Sequence, residues 1–86
     1  MKRTFTVKSD EGLHARPAAI MAKAANQYDP TITMYYEERS VNMKSVMGVM
    51  ALGIPPRSDF TIEVEDDDAE TILDDFESIL KEHSVI

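Results

Sequence analysis

Apolar and polar positions alternate along three stretches of the chain. Phe5 and Val7 share one face of residues 2–8, with Thr4, Thr6 and Lys8 on the other. Ile32, Met34 and Tyr36 alternate with Thr31, Thr33 and Tyr35, and Phe60, Ile62 and Val64 alternate with Thr61, Glu63 and Glu65. A period of two is the mark of a half-buried strand, so each stretch predicts one. A turn at Glu38-Arg39-Ser40 predicts a short returning strand over Val41–Met43.

The segments between them read as helices. Residues 15–27 are rich in alanine, with Ile20 and Met21, and Pro17 stands in the first turn, where its missing N–H would have had no partner. Such small residues let a helix lie close against a sheet. Ser45–Leu52 is a short apolar segment followed by Gly53 and Pro55-Pro56, both helix-stop signals. Ala69, Ile72, Leu73, Phe76, Ile79 and Leu80 recur at the spacing of one helical face. Asp67 and Glu70 are placed to act as a capping pair at its start. The order is β-α-β-β-α-β-α. Short connections between strands favour an α+β fold, a four-stranded antiparallel sheet with three helices on one face.

No repeat or linker divides the chain, so residues 1–86 are expected to form a single domain. A domain of this size buries only about 60–65 % of the surface its unfolded chain exposes. That leaves little room for a deep substrate cavity and moves any chemistry to the surface. The chain has no cysteine, which excludes disulfides, thiol catalysis and zinc–thiolate sites and fits a reducing cytoplasm. The first residues do not read as a signal peptide, and no stretch approaches the roughly 20 apolar residues of a membrane span.

The net charge of −7 is unevenly spread. Residues 1–27 carry five bases and two acids, whereas residues 59–86 carry eleven acids and one base. The acidic end repels phosphate backbones and argues against direct nucleic-acid binding. The milder N-terminal part is where an anion can sit.

The chemistry gathers at Gly12-Leu13-His14-Ala15-Arg16-Pro17-Ala18. A glycine precedes a histidine, the histidine stands where a helix begins, and an arginine follows two residues on. A helix start offers unpaired N–H groups and the positive end of a dipole, both of which suit a phosphoryl group. Arg16 can add fixed donors to phosphate oxygens. As a mere helix cap, His14 would be a poor choice beside Ser, Thr, Asp or Asn. Ser45 reads by itself as the N-cap of the second helix. Val46, Met47, Val49, Met50 and Leu52 are too many apolar residues for one face of two turns, so some are expected at the surface, as stray methionine or as a docking patch. Asp66-Asp67-Asp68 reads as a strand end and helix start rather than a cation site, and His83 as a cation suited to the end of the last helix.

Residues 12–18 resemble the active-site signature of the HPr family, the histidine-containing phosphocarriers of the phosphoenolpyruvate:sugar phosphotransferase system. Lys44-Ser45-Val46-Met47-Gly48-Val49-Met50 resembles that family's second signature, in the form of its Gram-positive branch. The resemblance covers essentially the whole chain. It implies an open-faced β-sandwich, acting as a phosphocarrier and protein co-substrate rather than an enzyme, with no cofactor and no metal. It implies that enzyme I phosphorylates His14 on Nδ1, with phosphoenolpyruvate as ultimate donor. The phosphoryl group then passes to IIA components of sugar permeases. Arg16 would hold the phosphate and Pro17 would start the helix at the site. Ser45 would be phosphorylated by an HPr kinase/phosphorylase and then engage a catabolite-control transcription regulator. Ala19, Ile20, Lys23, Met47 and Met50 would form the partner surface of a monomer.

Two other readings stay open. One is an HPr-like regulatory module working mainly through Ser45, and the other is an adaptor with no phosphochemistry. The sequence also departs from the family's pattern. Glu11, preceded by Asp10, stands where a small polar residue is usual, and carboxylates beside a phosphate site are unfavourable by Coulomb's law.

Overall fold

The computed structural model describes residues 1–86. Its elements are β1 (Lys2–Thr6), α1 (Ala15–Ala25), β2 (Ile32–Tyr36), β3 (Arg39–Asn42), α2 (Val46–Leu52), β4 (Asp59–Val64) and α3 (Ala69–Glu82). The strands form one sheet in the order β1-β4-β2-β3, with every neighbouring pair antiparallel. Phe5 lies opposite Phe60 across β1 and β4, while Met34 lies opposite both Ile62 and Val41. This register puts the alternating apolar residues of three strands on one face.

The three helices cover that face. Ala18, Met21 and Ala25 of α1 are buried, as are Val49 and Leu52 of α2. From α3 come Ala69, Ile72, Leu73, Phe76 and Leu80, with Ile79 half-buried at the margin of the stripe. The opposite face of the sheet is polar and wet. Thr4 and Thr61 hydroxyls meet at 2.8 Å, Thr6 donates to Asp59 at 2.6 Å, and Tyr35 donates to Glu63 at 2.6 Å. The result is an open-faced sandwich. No polar or charged residue is buried, and no buried side-chain nitrogen or oxygen lacks a partner. The interior is thus purely apolar, and any chemistry has to be done at the surface.

Four local expectations need correction. Strand β1 stops at Thr6 rather than running to residue 8: the Val7 N–H still donates in register to the Ser58 carbonyl at 2.9 Å, but the Val7 carbonyl accepts from Arg57, one residue out of step, at 2.8 Å, and Lys8 turns to the Val85 carbonyl at 2.6 Å. Helix α1 ends at Ala25 rather than residue 27, where the Asn26 side chain turns back to donate to the Ala22 carbonyl at 2.7 Å. The hairpin turns at Glu37-Glu38, with Glu37 at φ 53°, and Arg39 and Ser40 already pair with Tyr36 and Tyr35. Arg39 is drawn into the strand by its guanidinium, which donates to the Ala51 and Leu52 carbonyls at the end of α2 (3.2 and 2.6 Å) and lies over the Tyr36 ring. Those carbonyls have no partner within the helix, so a cation there is well used. Last, Asp67 and Glu70 form no capping pair: Asp68 is the N-cap of α3, and its own N–H is accepted by the Asp66 carboxylate at 2.9 Å.

Candidate functional surface at the start of the first helix

The loop before α1 is built to present one side chain. Gly12 has φ +70°, and a Cβ there would stand 2.5 Å from the Ile54 carbonyl oxygen. The close approach lets Leu13 donate its N–H to that oxygen at 2.9 Å while its side chain enters the core. On the other side, Lys8 and Ser9 both donate to the Val85 carbonyl, tying the loop to the end of the chain. His14 follows as the N-cap of α1, extended at φ −88°, ψ −166°, and its ring makes no capping hydrogen bond. The His14 carbonyl accepts from Ala18 at 3.0 Å, which begins the helix.

Local structure therefore leaves donors free at this point. The Ala15 and Arg16 amides have no backbone acceptor, and Pro17 has no amide to offer. Pro17 is buried under the first turn, while Arg16 is exposed and makes no ion pair or hydrogen bond. Unpaired amides at a helix start and an uncommitted guanidinium suit an anion with several oxygens. The His14 side chain, 39 % exposed, stands on a ridge between two shallow depressions. One, of about 390 Å³, holds Arg16, Ile20, Glu82, His83 and Ser84; the other holds Leu13, Met50, Gly53 and Pro55. The two acids of the loop part company here. Asp10 pairs with Arg57 at 3.5 Å, whereas the Glu11 carboxylate faces His14 Nε2 at 3.8 Å.

The second element is α2, capped by Ser45. The Ser45 hydroxyl is exposed and accepts from the Gly48 N–H at 3.0 Å. Met47, at 78 % exposure, and Met50, at 43 %, point outward with Val46. Helix α1 packs beside α2, where the Asn26 amide donates to the Lys44 carbonyl at 2.9 Å, and presents Ala19, Ile20 and Lys23. Ile20 and Met50 reach the depressions flanking His14; Ala19, Lys23, Met47 and Ser45 lie outside them.

Sequence reasoning missed His83. Its place as the C-cap of α3 was legible, but its position in the depression beside His14 depends on the contact of Lys8 and Ser9 with Val85, for which no local pattern gives a signal. The displaced pKa values fall elsewhere. Hydrogen bonding to Asp75 holds the Tyr28 phenol above its ordinary range, and hydrogen bonding to Glu63 does the same for Tyr35. Arg3 is raised by its bond to Asp74. No group of three or more His, Asp or Glu side chains is placed to hold a metal ion, and no helix is long and apolar enough to cross a membrane.

The fold is a small open-faced sandwich with an apolar interior, and its candidate chemistry lies in shallow depressions on one rim. Comparison with known proteins makes the class specific. The family model for the PTS HPr component phosphorylation site matches residues 1–82. The histidine-containing phosphocarrier protein of a Mycoplasma superposes with a TM-score of 0.94, at 31 % identity over 100 % of this chain and 98 % of that one. The phosphocarrier protein HPr of Bacillus anthracis gives 0.81, at 36 % identity over 91 % and 93 %. Crh of Bacillus subtilis, a catabolite-repression protein found as a domain-swapped dimer, gives 0.72, at 28 % identity over 95 % and 93 %. The chain belongs to the HPr family, the phosphocarriers of the sugar phosphotransferase system, whose partners in general are enzyme I and IIA components.

Proposed function

We propose that His14 is the phosphoryl acceptor, that it is charged by enzyme I at the expense of phosphoenolpyruvate, and that it passes the group to IIA components of sugar permeases. The observation that carries this reading is the coincidence at one point of an exposed ring, two unpaired amides and the free Arg16 guanidinium. On charging, the lone pair of Nδ1 forms the nitrogen–phosphorus bond while the bond from phosphorus to the donor breaks and its electron pair stays on the donor. On delivery, a nucleophile of the IIA component forms the new bond to phosphorus while the nitrogen–phosphorus bond breaks and its electron pair returns to Nδ1. Arg16 and the Ala15 and Arg16 amides hold the three terminal oxygens, while Pro17 keeps the first turn in place. Most of the alignment comes from the partner, since the depressions here are too shallow to orient a reactant. Ala19, Ile20, Lys23, Met47 and Met50 form the partner surface, with methionine adapting to more than one docking face.

Ser45 is the regulatory position in this reading. It is exposed, it precedes the two outward methionines, and a phosphate at a helix start is electrostatically tolerated. A Ser45 kinase would modify it, and a catabolite-control transcription regulator would read the result. The likeness to the catabolite-repression protein Crh supports a regulatory use of this scaffold, and His14 makes it an addition to carriage rather than a substitute. The carrier acts as a monomeric single domain in the cytoplasm, as its cysteine-free chain suits.

The test is intact mass after incubation with enzyme I, magnesium and phosphoenolpyruvate. The native protein gains a single acid-labile phosphoryl group, loses it to an added IIA component, and His14→Ala gains none. No gain, with an enzyme I proven active on another carrier, would remove carriage as the function.

A further inference from the structure

The Glu11 carboxylate stands where the family resemblance leads one to expect a small polar side chain, and it faces His14 Nε2 at 3.8 Å. We propose that Glu11 is a positioning residue for phosphoryl transfer: it keeps the ring proton on Nε2 and thereby makes Nδ1 the nucleophile. The inference rests on His14 being the acceptor.

The contact is a solvent-exposed charge contact, with the Glu11 side chain 77 % exposed, on a loop whose backbone is fixed. Glu11 is held in a loop pinned from both sides: Leu13 donates to Ile54, Lys8 and Ser9 donate to Val85, and the Glu11 amide lies 3.3 Å from the Ser9 hydroxyl. The ring makes no hydrogen bond within the chain, so no hydrogen-bonding partner competes with the charge of Glu11, 3.8 Å away, in setting its tautomer. A carboxylate near Nε2 disfavours a lone pair there and favours an N–H. With the proton on Nε2, the lone pair of Nδ1 attacks phosphorus, the donor leaves with its electron pair, and the ring keeps its proton throughout. The ring passes from neutral to cationic as the bond forms. Its attraction to Glu11 therefore grows along the reaction, while the phosphoryl oxygens are carried on the other ring nitrogen, away from Nε2. An interaction that strengthens in the transition state helps the step rather than mere binding. The other ionisable side chains lining the depressions beside the ring are Arg16 of α1 and Glu82 and His83 at the end of α3; the depression on the Met50 side contributes none besides Glu11. Asp10 is engaged by Arg57 and does not face the ring.

The experiment uses protein labelled with 15N in its histidine rings, in native, Glu11→Gln and Asp10→Asn forms, with His14 and His83 resolved separately. In the unphosphorylated native protein the neutral His14 ring carries its proton on Nε2. In Glu11→Gln the ratio of Nε2–H to Nδ1–H tautomers falls, by up to about fivefold, the ceiling for a unit charge at this distance in water. Asp10→Asn leaves it unchanged. Labelling with phosphoramidate, a small donor that needs no partner protein, puts phosphorus on Nδ1 in the native form and on both nitrogens in Glu11→Gln. An unchanged tautomer ratio and labelling pattern in Glu11→Gln, or an equal change in Asp10→Asn, overturns the role of Glu11. Neither readout involves enzyme I, so a failure of the carrier reading itself is seen separately.

Discussion

Replacing Gly12 with alanine puts a methyl group 2.5 Å from the Ile54 carbonyl oxygen and 3.2 Å from two backbone atoms of Pro55. All three are backbone atoms, so no side chain can swing aside. The alanine must also hold φ +70°, which costs about 1–2 kcal/mol for a residue with a Cβ. Relief of the clash moves the Ile54 carbonyl away from the Leu13 N–H, now 2.9 Å from it, and sacrifices a hydrogen bond of about 0.5–1.5 kcal/mol. The total is about 1.5–3.5 kcal/mol, a large share of the roughly 4–13 kcal/mol expected for a domain of this length. Gly53 provides the internal control. It has φ +58°, but a Cβ there meets nothing within 4 Å, so Gly53→Ala carries the conformational cost alone, about 1–2 kcal/mol. The entropy lost from the unfolded chain is the same in both variants and cancels from their difference. In urea, with a slope of about 1 kcal/mol/M, Gly12→Ala lowers the unfolding midpoint by about 1.5–3.5 M and Gly53→Ala by about 1–2 M, so that Gly12→Ala unfolds about 0.5–1.5 M earlier than Gly53→Ala. Midpoints for the two variants within about 0.3 M of each other would refute the claim that backbone contact with Ile54 shapes the loop before His14.

Other consequences are as direct. Tyr28→Phe keeps the edge-to-face contact with Phe76 but loses the 2.7 Å bond to Asp75, for a loss of about 1 kcal/mol. Because the folded-state pKa of Tyr28 is raised, that stabilisation is present below about pH 10 and is lost as pH climbs through the folded value. The gap between native and variant midpoints should therefore hold through neutral pH and close only in strong alkali. Ser45→Ala removes the cap on the Gly48 amide and should lower stability by about 1 kcal/mol, while Ser45→Asp, which restores an acceptor, should recover most of it by thermal unfolding. Met34→Ala in the core should cost about 2–5 kcal/mol, against less than about 0.5 for the exposed Met47→Ala, whose effect should appear instead as weaker binding to enzyme I.

The strands were legible because a half-buried sheet imposes a period of two, and Phe60-Thr61-Ile62-Glu63-Val64 obeys it without exception. The stripe on α3 was legible for the same reason at the helical period, and Gly53 and Pro55 marked the end of α2 correctly. Partnering decided the remainder. Val7 fits the alternation, is buried and donates in register to Ser58, yet its carbonyl is taken by Arg57, one residue out of step, and the strand ends. Arg39 reads locally as a turn residue and becomes a strand residue because its guanidinium caps another element. Among Asp66, Asp67 and Asp68 no local preference distinguishes the cap, and the path of the chain out of β4 selects Asp68. At the candidate site, the glycine, histidine, arginine and proline were visible as a motif. That Asp10 turns to Arg57 while Glu11 turns to His14, and that His83 closes one side, depends on contacts between residues distant in sequence.

His14 and His83 are the chain's two histidines, and both border the same depression, so the most direct measurement identifies the nitrogen that carries phosphorus. Protein labelled with 15N in its histidine rings is phosphorylated by enzyme I and phosphoenolpyruvate, and phosphorus–nitrogen coupling is read in native, His14→Ala and His83→Gln forms. Coupling to Nδ1 of a single ring, lost in His14→Ala and kept in His83→Gln, is the predicted result. Coupling that survives in His14→Ala, or that disappears with His83, would contradict the assignment of His14 as the carrier.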